Sequence, residues 1–529
     1  MLFILYNGDN GTGTVHINKM NRMIFALSIL LGAIRVQDCD AYRILFIGPV
    51  GTRSHKNYFS SIIDGLVMNN HHVTFITPFP SASVKANVKE VVVPEGDFSK
   101  FNLNLFDEKF SVSAATVDKY YSMCDETVQK PQVQSLLEEK FDVALLSAIC
   151  SECYFSLIHK FQIPFISVLP LDLLAETGSS VGNPIFSSFQ AHPFLDFDHP
   201  FTFWQRINSV LWDTMSLLYM LNIYQDVEQR CRASGICPED MPSIYDMTRK
   251  VSMIFINSIP VLQKPVRPLV PAVLPIGGIH CQPPKQLPQD LQEWVEGSGE
   301  DGIIYFSLGS IVKPSTLPEK NRLMFIKVFG SLKQRVLWKW DKESMPDLPP
   351  NVLLRKWVPQ QDILGHEKLR LFISQSGLFS TQESLYHGKP VLSLPVYADQ
   401  LSNARSVERQ GWGKVIIWEE MTEEMLFDKI NSIINNEEMK ERVQEKSHLM
   451  KDQPLSTKSL MVYWTEYVVR HGGAAHLRCP LVDLPWYKVY NLDVWLTLVA
   501  VTVILLWLIV RLFLAIISCL CRRVKRKLD

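Results

Sequence analysis

Short apolar runs broken by glycine and proline alternate with stretches of helical spacing along most of this chain. Tyr42–Ile47 is the first run, and Gly48-Pro49 ends it. Gly51-Thr52-Arg53-Ser54-His55 follows, then helical spacing from Tyr58 to Met68 and a second run, Val73–Ile76. Short runs that are apolar throughout suit strands buried on both faces, and two of them joined through a helix predict a β–α–β unit. Phe141–Leu146 and Pro164–Val168 add two strands, with a helix expected over Cys153–His159. From Phe203 to Tyr224 the residues Trp204, Ile207, Leu211, Met215 and Leu218 recur at helical spacing. That stripe predicts a helix packed into the core, part of which an acceptor pocket could use.

Pro260–Pro284 is proline-rich and reads as a linker, after which the pattern restarts. Ile303–Leu308 predicts a strand, the stretch around Leu317–Leu332 a helix, and Arg335–Trp340 and Val352–Trp357 two more strands. Leu371-Phe372-Ile373 is then broken by Gln375-Ser376-Gly377, and Val391–Leu394 follows Gly388-Lys389-Pro390. The helix between them is expected to open at Ser380-Thr381, with Glu383 at the place of a capping box. Such a helix start offers free N–H groups to a phosphate. Asp399 and Gln400, just past the second strand, face the same crevice and could grip a polyhydroxylated group. A nucleotide sugar meets both demands. Two consecutive α/β domains imply a cleft in which substrates from each side meet.

Composition removes some alternatives. Lys plus Arg is 53 and Asp plus Glu 54, so a net charge of -1 gives nucleic acid no basic surface to bind. An apolar fraction of 47% suits a globular protein with a few membrane-directed segments. Lys19 and Arg22 precede the apolar stretch Ile24–Ile34, a signal-peptide pattern running to Ala41 and too short to span a bilayer. Val494–Val510 carries no charge, and Arg522, Arg523, Lys525, Arg526 and Lys527 follow. This predicts one membrane span with a cytosolic tail and a lumenal body. Lys525 and Lys527 also fit a dilysine retrieval signal of the endoplasmic reticulum, a plain stop-transfer cluster being the other reading. Cys150-Ser-Glu-Cys153 has the CxxC spacing, but no second pair or histidine cluster accompanies it, so a structural pair or two buried thiols is expected rather than a metal site.

The stretch 372–400 resembles the signature of the UDP-glycosyltransferases of animal membranes. Gly377, Ser380, Glu383, His387-Gly388, Pro390, Pro395 and Asp399-Gln400 stand at that family's spacings. So do Phe306-Ser307-Leu308-Gly309-Ser310, Trp357-Val358-Pro359-Gln360, Leu364-Gly365-His366 and His471–Arg478, with Ala475 where the family has proline. Thr77-Pro-Phe-Pro80 gives a flavour closest to the invertebrate, especially insect, members. The resemblance implies an α/β protein of the GT-B fold, with two Rossmann-like domains facing across a cleft and a C-terminal transmembrane helix. Its expected divisions are a leader and signal over 1–41, an acceptor-binding domain over 42–278 and a UDP-sugar-binding domain over 279–450. A C-terminal helix and juxtamembrane segment would cover 451–493, the span 494–514 and the basic tail 515–529.

By the same resemblance Trp357 would stack on uracil, Gln360 bind the uracil or ribose edge, and Glu383 take the ribose hydroxyls. Ser310, Gln375, Gly377 and Ser380 would donate to the diphosphate, and Asp399 and Gln400 would hold the sugar hydroxyls. His55 would be the general base that deprotonates a small lipophilic acceptor such as a phenol, flavonoid or steroid, inverting the anomeric centre. UDP-sugar is a co-substrate in this scheme, and no cofactor or metal is expected. Homo- or hetero-oligomers are left open. Two departures stand out. Gln375 replaces a histidine, and Ser147 stands where the family orients its base with an acid, leaving Glu152 as the nearest carboxylate to substitute. A catalytically weak relative that only binds nucleotide sugar or lipophile is the competing reading.

Overall fold

A computed structural model describes residues 41–83, 85–100, 106, 114–192, 195, 197, 199–263 and 265–528. The expected signal segment lies outside them. The first sheet contains β1 (Arg43–Ile47), β2 (His72–Thr77), β3 (Val88–Val92), β4 (Val143–Ser147), β5 (Phe165–Leu169), β6 (Met253–Ile256) and β7 (Val273–Pro275), in the spatial order β3-β2-β1-β4-β5-β6-β7. The second contains β8 (Ile303–Ser307), β9 (Arg335–Lys339), β10 (Val352–Arg355), β11 (Leu369–Ser374), β12 (Val391–Ser393) and β13 (Gly413–Val415), in the order β10-β9-β8-β11-β12-β13. Every pairing is parallel.

Strand order reverses between β1 and β4 in one sheet and between β8 and β11 in the other. At such switch points the loops leaving the strands part to opposite faces and open a crevice at their carboxyl ends. The strands flanking both switch points are nearly all buried, as their continuous apolar runs require. Phe46 of β1 packs on Phe59 and Phe75 at 5.1 and 5.3 Å between ring centres. In the second domain Phe306 meets Trp338 at 5.1 Å. Each such ring contributes about 1.5–3 kcal/mol by burial, which holds the strand ends in place beneath the crevice.

Five helices matter to function, together with a sixth that runs to the C-terminus. They are α1 (Arg53–Met68), α2 (Phe203–Ala233), α3 (Leu378–Tyr386), α4 (Gln400–Arg409), α5 (Thr457–Arg470) and α6 (Leu492–Leu528). After the second domain the chain crosses back, and α5 packs on α1. A methyl on Gly65 would lie 3.0 Å from Met461 Cε, and His71 Nε2 lies 3.1 Å from Glu466 Oε1. Farther on, Cys479 N–H donates to Val181 O at 3.1 Å and Arg249 donates to Val482 O, so the segment before α6 is held to the first domain. Residues Leu492–Arg522 of α6 are long and apolar enough to cross a membrane, and their side chains are unpacked.

Several expectations need correction. The proline-rich linker is shorter than Pro260–Pro284, because Val273–Pro275 joins the first sheet as its seventh strand. Pro275 closes an edge strand, where the missing N–H costs no ladder bond. The stripe Trp204, Leu211, Met215 and Leu218 of α2 points outward, at 57–74% exposure, rather than into the core. The residues α2 buries are instead Ser209, Asp213, Ile223, Val227 and Cys231. Cys153 is bonded to Cys124, and Cys231 to Cys237, leaving Cys150 a free thiol. The CxxC pair is therefore not a disulfide.

Candidate active site

The two switch points meet. Ser54, in the first turn of α1, and Ser310, on the loop leaving β8, approach to 3.4 Å between hydroxyl oxygens. His55 sits in the first turn of α1 rather than in a loop, because Thr52 caps that helix. Thr52 Oγ1 accepts the His55 N–H at 3.4 Å, and the Thr52 N–H donates back to His55 Nδ1 at 3.3 Å. This is a capping box with histidine in the place usually taken by Glu or Gln. A neutral ring that accepts at Nδ1 carries its proton on Nε2. The ring lies edge-on to Phe379 of α3 at 5.9 Å, which sets it against the second domain. Burial lowers its pKa to about 4, since the charged form loses water and gains no carboxylate.

On the opposite wall α3 begins at Leu378, with Gly377 at its N-cap. It does not open at Ser380-Thr381. Ser380 Oγ donates to Gly377 O at 3.1 Å, inside the first turn, and Glu383 makes no capping box. Gln375 is buried, with its amide nitrogen turned toward that helix start. A methyl on Gly377 would lie 3.2 Å from Gln375 Nε2, and one on Gly309 only 2.0 Å from it. Gly309 also has φ +81, so glycine is required there on both counts. Loop and helix start thus converge on one amide donor beside free backbone N–H groups, an arrangement able to bind an anion.

Glu383 is half-buried and accepts from Gln360 Nε2 at 2.6 Å, while Tyr305 donates to Gln360 Oε1 at 3.2 Å. Burial raises the Glu383 pKa to about 7 against the opposing pull of the Gln360 bond. His280 Nε2 donates to Phe379 O at 3.2 Å and lies 3.9 Å from Glu383 Oε1. Trp357 is 66% exposed, so its face is open to a flat ligand rather than used in the core. Asp399 accepts from Asn403 Nδ2 at 2.7 Å, and burial raises its pKa. Gln400 uses its carbonyl oxygen internally, accepting from Val396 N–H at 2.8 Å and Tyr397 N–H at 3.2 Å. Among the described residues no group of three His, Cys, Asp or Glu could hold a metal ion.

The family model described as UDP-glucoronosyl and UDP-glucosyl transferase matches residues 54–527. The chain belongs to the UDP-glycosyltransferase family. It is 32% identical to UDP-glycosyltransferase UGT5 of Dactylopius coccus over 88% of this chain and 91% of that relative. With UDP-glucuronosyltransferase 2B17 of Homo sapiens it shares 29% over 90% of this chain and 93% of the relative. The fold resembles a UDP-glucosyltransferase from Polygonum tinctorium, with a TM-score of 0.55 and 16% identity over 81% of this chain and 99% of that structure. The calicheamicin glycosyltransferase CalG4 gives a TM-score of 0.54 at 14% identity over 82% and 99%. The architecture is the GT-B fold.

Within this UDP-glycosyltransferase Gln375 and Ser380 lie at the Gly377 helix start, Gln360 and Glu383 pair with each other, and Asp399 lines the groove between the domains. It does not bring Glu152 to His55. Glu152 lies in the turn after β4, buried, hydrogen-bonded to Tyr121, and burial raises its pKa to about 7. Its Oε2 has no partner, and Ser147 Oγ is occupied by the Ile149 N–H at 3.3 Å. The substitution of Glu152 for the missing acid is therefore not supported by geometry.

Lys339 is the residue that sequence reasoning missed. Its Nζ donates to Gly309 O at 2.8 Å and lies 5.6 Å from the Trp357 ring centre. Burial lowers its pKa, with no charged partner acting against it. The signal available was a lysine following the apolar run Val336-Leu337-Trp338 at the carboxyl end of a strand. A groove of about 830 Å³ also opens between the domains, lined by Asp172, Phe189 and His192 on one side and Thr381, Gln382 and Asp399 on the other. It follows the α3 face next to the one that carries Phe379.

Proposed function

We propose that this chain moves glucose from UDP-glucose to a hydroxyl of a small lipophilic acceptor, with inversion and without a metal ion. The meeting of Ser54 with Ser310 carries the reading, because it sets His55 beside the anion-binding loop and helix start. The uracil stacks on Trp357, Glu383 takes the ribose hydroxyls, and Gln375, Ser310 and the α3 start receive the diphosphate charge as it develops. Lys339 adds a positive charge on the same side. Asp399 and the remaining donors of Gln400 hold the hexose. Glucose is favoured because a relative 31% identical over 89% of this chain is named UDP-glucosyltransferase 2. The groove beside α3, with its Phe189 and His192 rings, suits an aromatic or polycyclic acceptor.

His55 is the base of this scheme, working without an orienting acid. To take a proton at Nε2 the ring must first carry its own proton on Nδ1 instead, which breaks the bond that Nδ1 accepts from the Thr52 N–H. Nucleophiles that need little help, such as phenols, are therefore served better than alcohols. Incubating membranes with several UDP-sugars and a panel of phenols, flavonoids and steroids, with mass detection of conjugates, tests the reading. Conjugates restricted to another sugar would replace the donor, and donor binding without any conjugate would favour the binding-only relative that the absent acid also suits. The lumenal body, single span and Lys525/Lys527 tail fit residence in the endoplasmic reticulum membrane. Replacing both lysines by serine should release the protein to later compartments, and an unchanged distribution would refute that signal.

A further inference from the structure

Along α2 the residues from Ile207 to Gln225 include one charge, Asp213, and it is buried with an acceptor oxygen 2.6 Å from Ser187 Oγ. The opposite face shows Trp204 at 74%, Leu211 at 58%, Met215 at 65% and Leu218 at 57% exposure, with Phe203, Trp212 and Tyr219 on its flanks. A helix face turned to water normally carries charged side chains. A continuous apolar face of this size, rimmed by aromatics, marks a contact site.

We infer that this face of α2 lies on the lipid surface of the same membrane that α6 crosses, as a second, monotopic contact. The inference rests on α6 being a membrane anchor. Continuity with that anchor identifies the occupant. Ser216 of α2 donates to Glu176 Oε2 at 3.3 Å, and five residues on Val181 O receives the Cys479 N–H at 3.1 Å. The chain that leads into α6 is thus clamped to the part of the first domain that carries α2. Trp486, Tyr487 and Tyr490 stand exposed just before the span, the residue types that settle at the interface between hydrocarbon and water. Trp204, Trp212 and Tyr219 repeat those types on α2, and an apolar helix face with such residues inserts at the headgroup boundary. Arg206, exposed at the start of the face, adds positive charge suited to headgroups, whereas Arg230 and Arg232 at the end of α2 are paired with Asp125 and Glu228.

Photo-crosslinking of the full chain in its membrane tests this. Benzoylphenylalanine at Leu211 or Met215 should give lipid adducts several-fold above those from the same probe at Lys342, an exposed position of the second domain. In a Leu211→Glu/Met215→Glu chain a probe at Leu218 should lose its lipid adduct while the chain stays carbonate-resistant. Adducts to a second copy or to another protein, no adduct above that at Lys342, or an adduct retained in the double variant would overturn the inference. Carbonate extraction of the unmodified chain would instead refute the anchor itself.

Discussion

The two walls of the crevice are built to different standards, and their glutamates show how. Glu383 and Glu152 are both held by burial near pKa 7. Glu383 stands at the end of a chain in which Tyr305 donates to Gln360 and Gln360 donates to Glu383, on the helix whose start carries the free N–H groups. Glu152 has Tyr121 on one oxygen and nothing on the other, in a turn tied by the Cys124–Cys153 bond. A perturbed carboxylate alone does not mark a site; what faces it does. The wall built by the second domain is preorganised. The wall built by the first domain presents His55, whose Nδ1 already accepts from the Thr52 N–H.

The sharpest way to break the comparison is His55→Ala. General-base assistance is worth about 10²–10⁴-fold, and kcat should fall in that range while UDP affinity by calorimetry stays put. Retained turnover would remove the base from the wall built by the first domain. Glu152→Gln comes next, and its effect should appear in stability alone. A carboxyl whose folded pKa is raised to about 7 favours the fold below its unfolded pKa and loses that contribution as pH rises through 7. The variant should therefore gain on the order of 3 kcal/mol over the wild type at pH 8 relative to pH 4. Thermal melts at the two pH values check this, and a fall in kcat on either alcohols or phenols would restore Glu152 to catalysis. Trp357→Ala should weaken UDP binding by about 1–3 kcal/mol, as lost base stacking does elsewhere. Unchanged affinity would put the nucleotide on another surface.

The second domain was legible because its chemistry sits in one contiguous signature. Gln375, Gly377 and Glu383 lie within nine residues of one β–α–β unit, and the resemblance to the family supplied the shared role that spacing alone did not. The first domain resisted for physical reasons. The first half of α2 turns its apolar stripe outward and buries Ser209 and Asp213, and periodicity reports a stripe without saying which way it turns. Val273–Pro275 was hidden by prolines that an edge strand tolerates. Partners far apart in the chain, such as Ser54 with Ser310, Lys339 with Gly309, or Cys124 with Cys153, left no local trace.

The account stands on direct attack by the acceptor from the face opposite UDP. Proton NMR of the first-formed product from UDP-glucose and a simple phenol reads that step. The account predicts a β-glucoside appearing in step with free UDP. An α-glucoside as the initial product would contradict it.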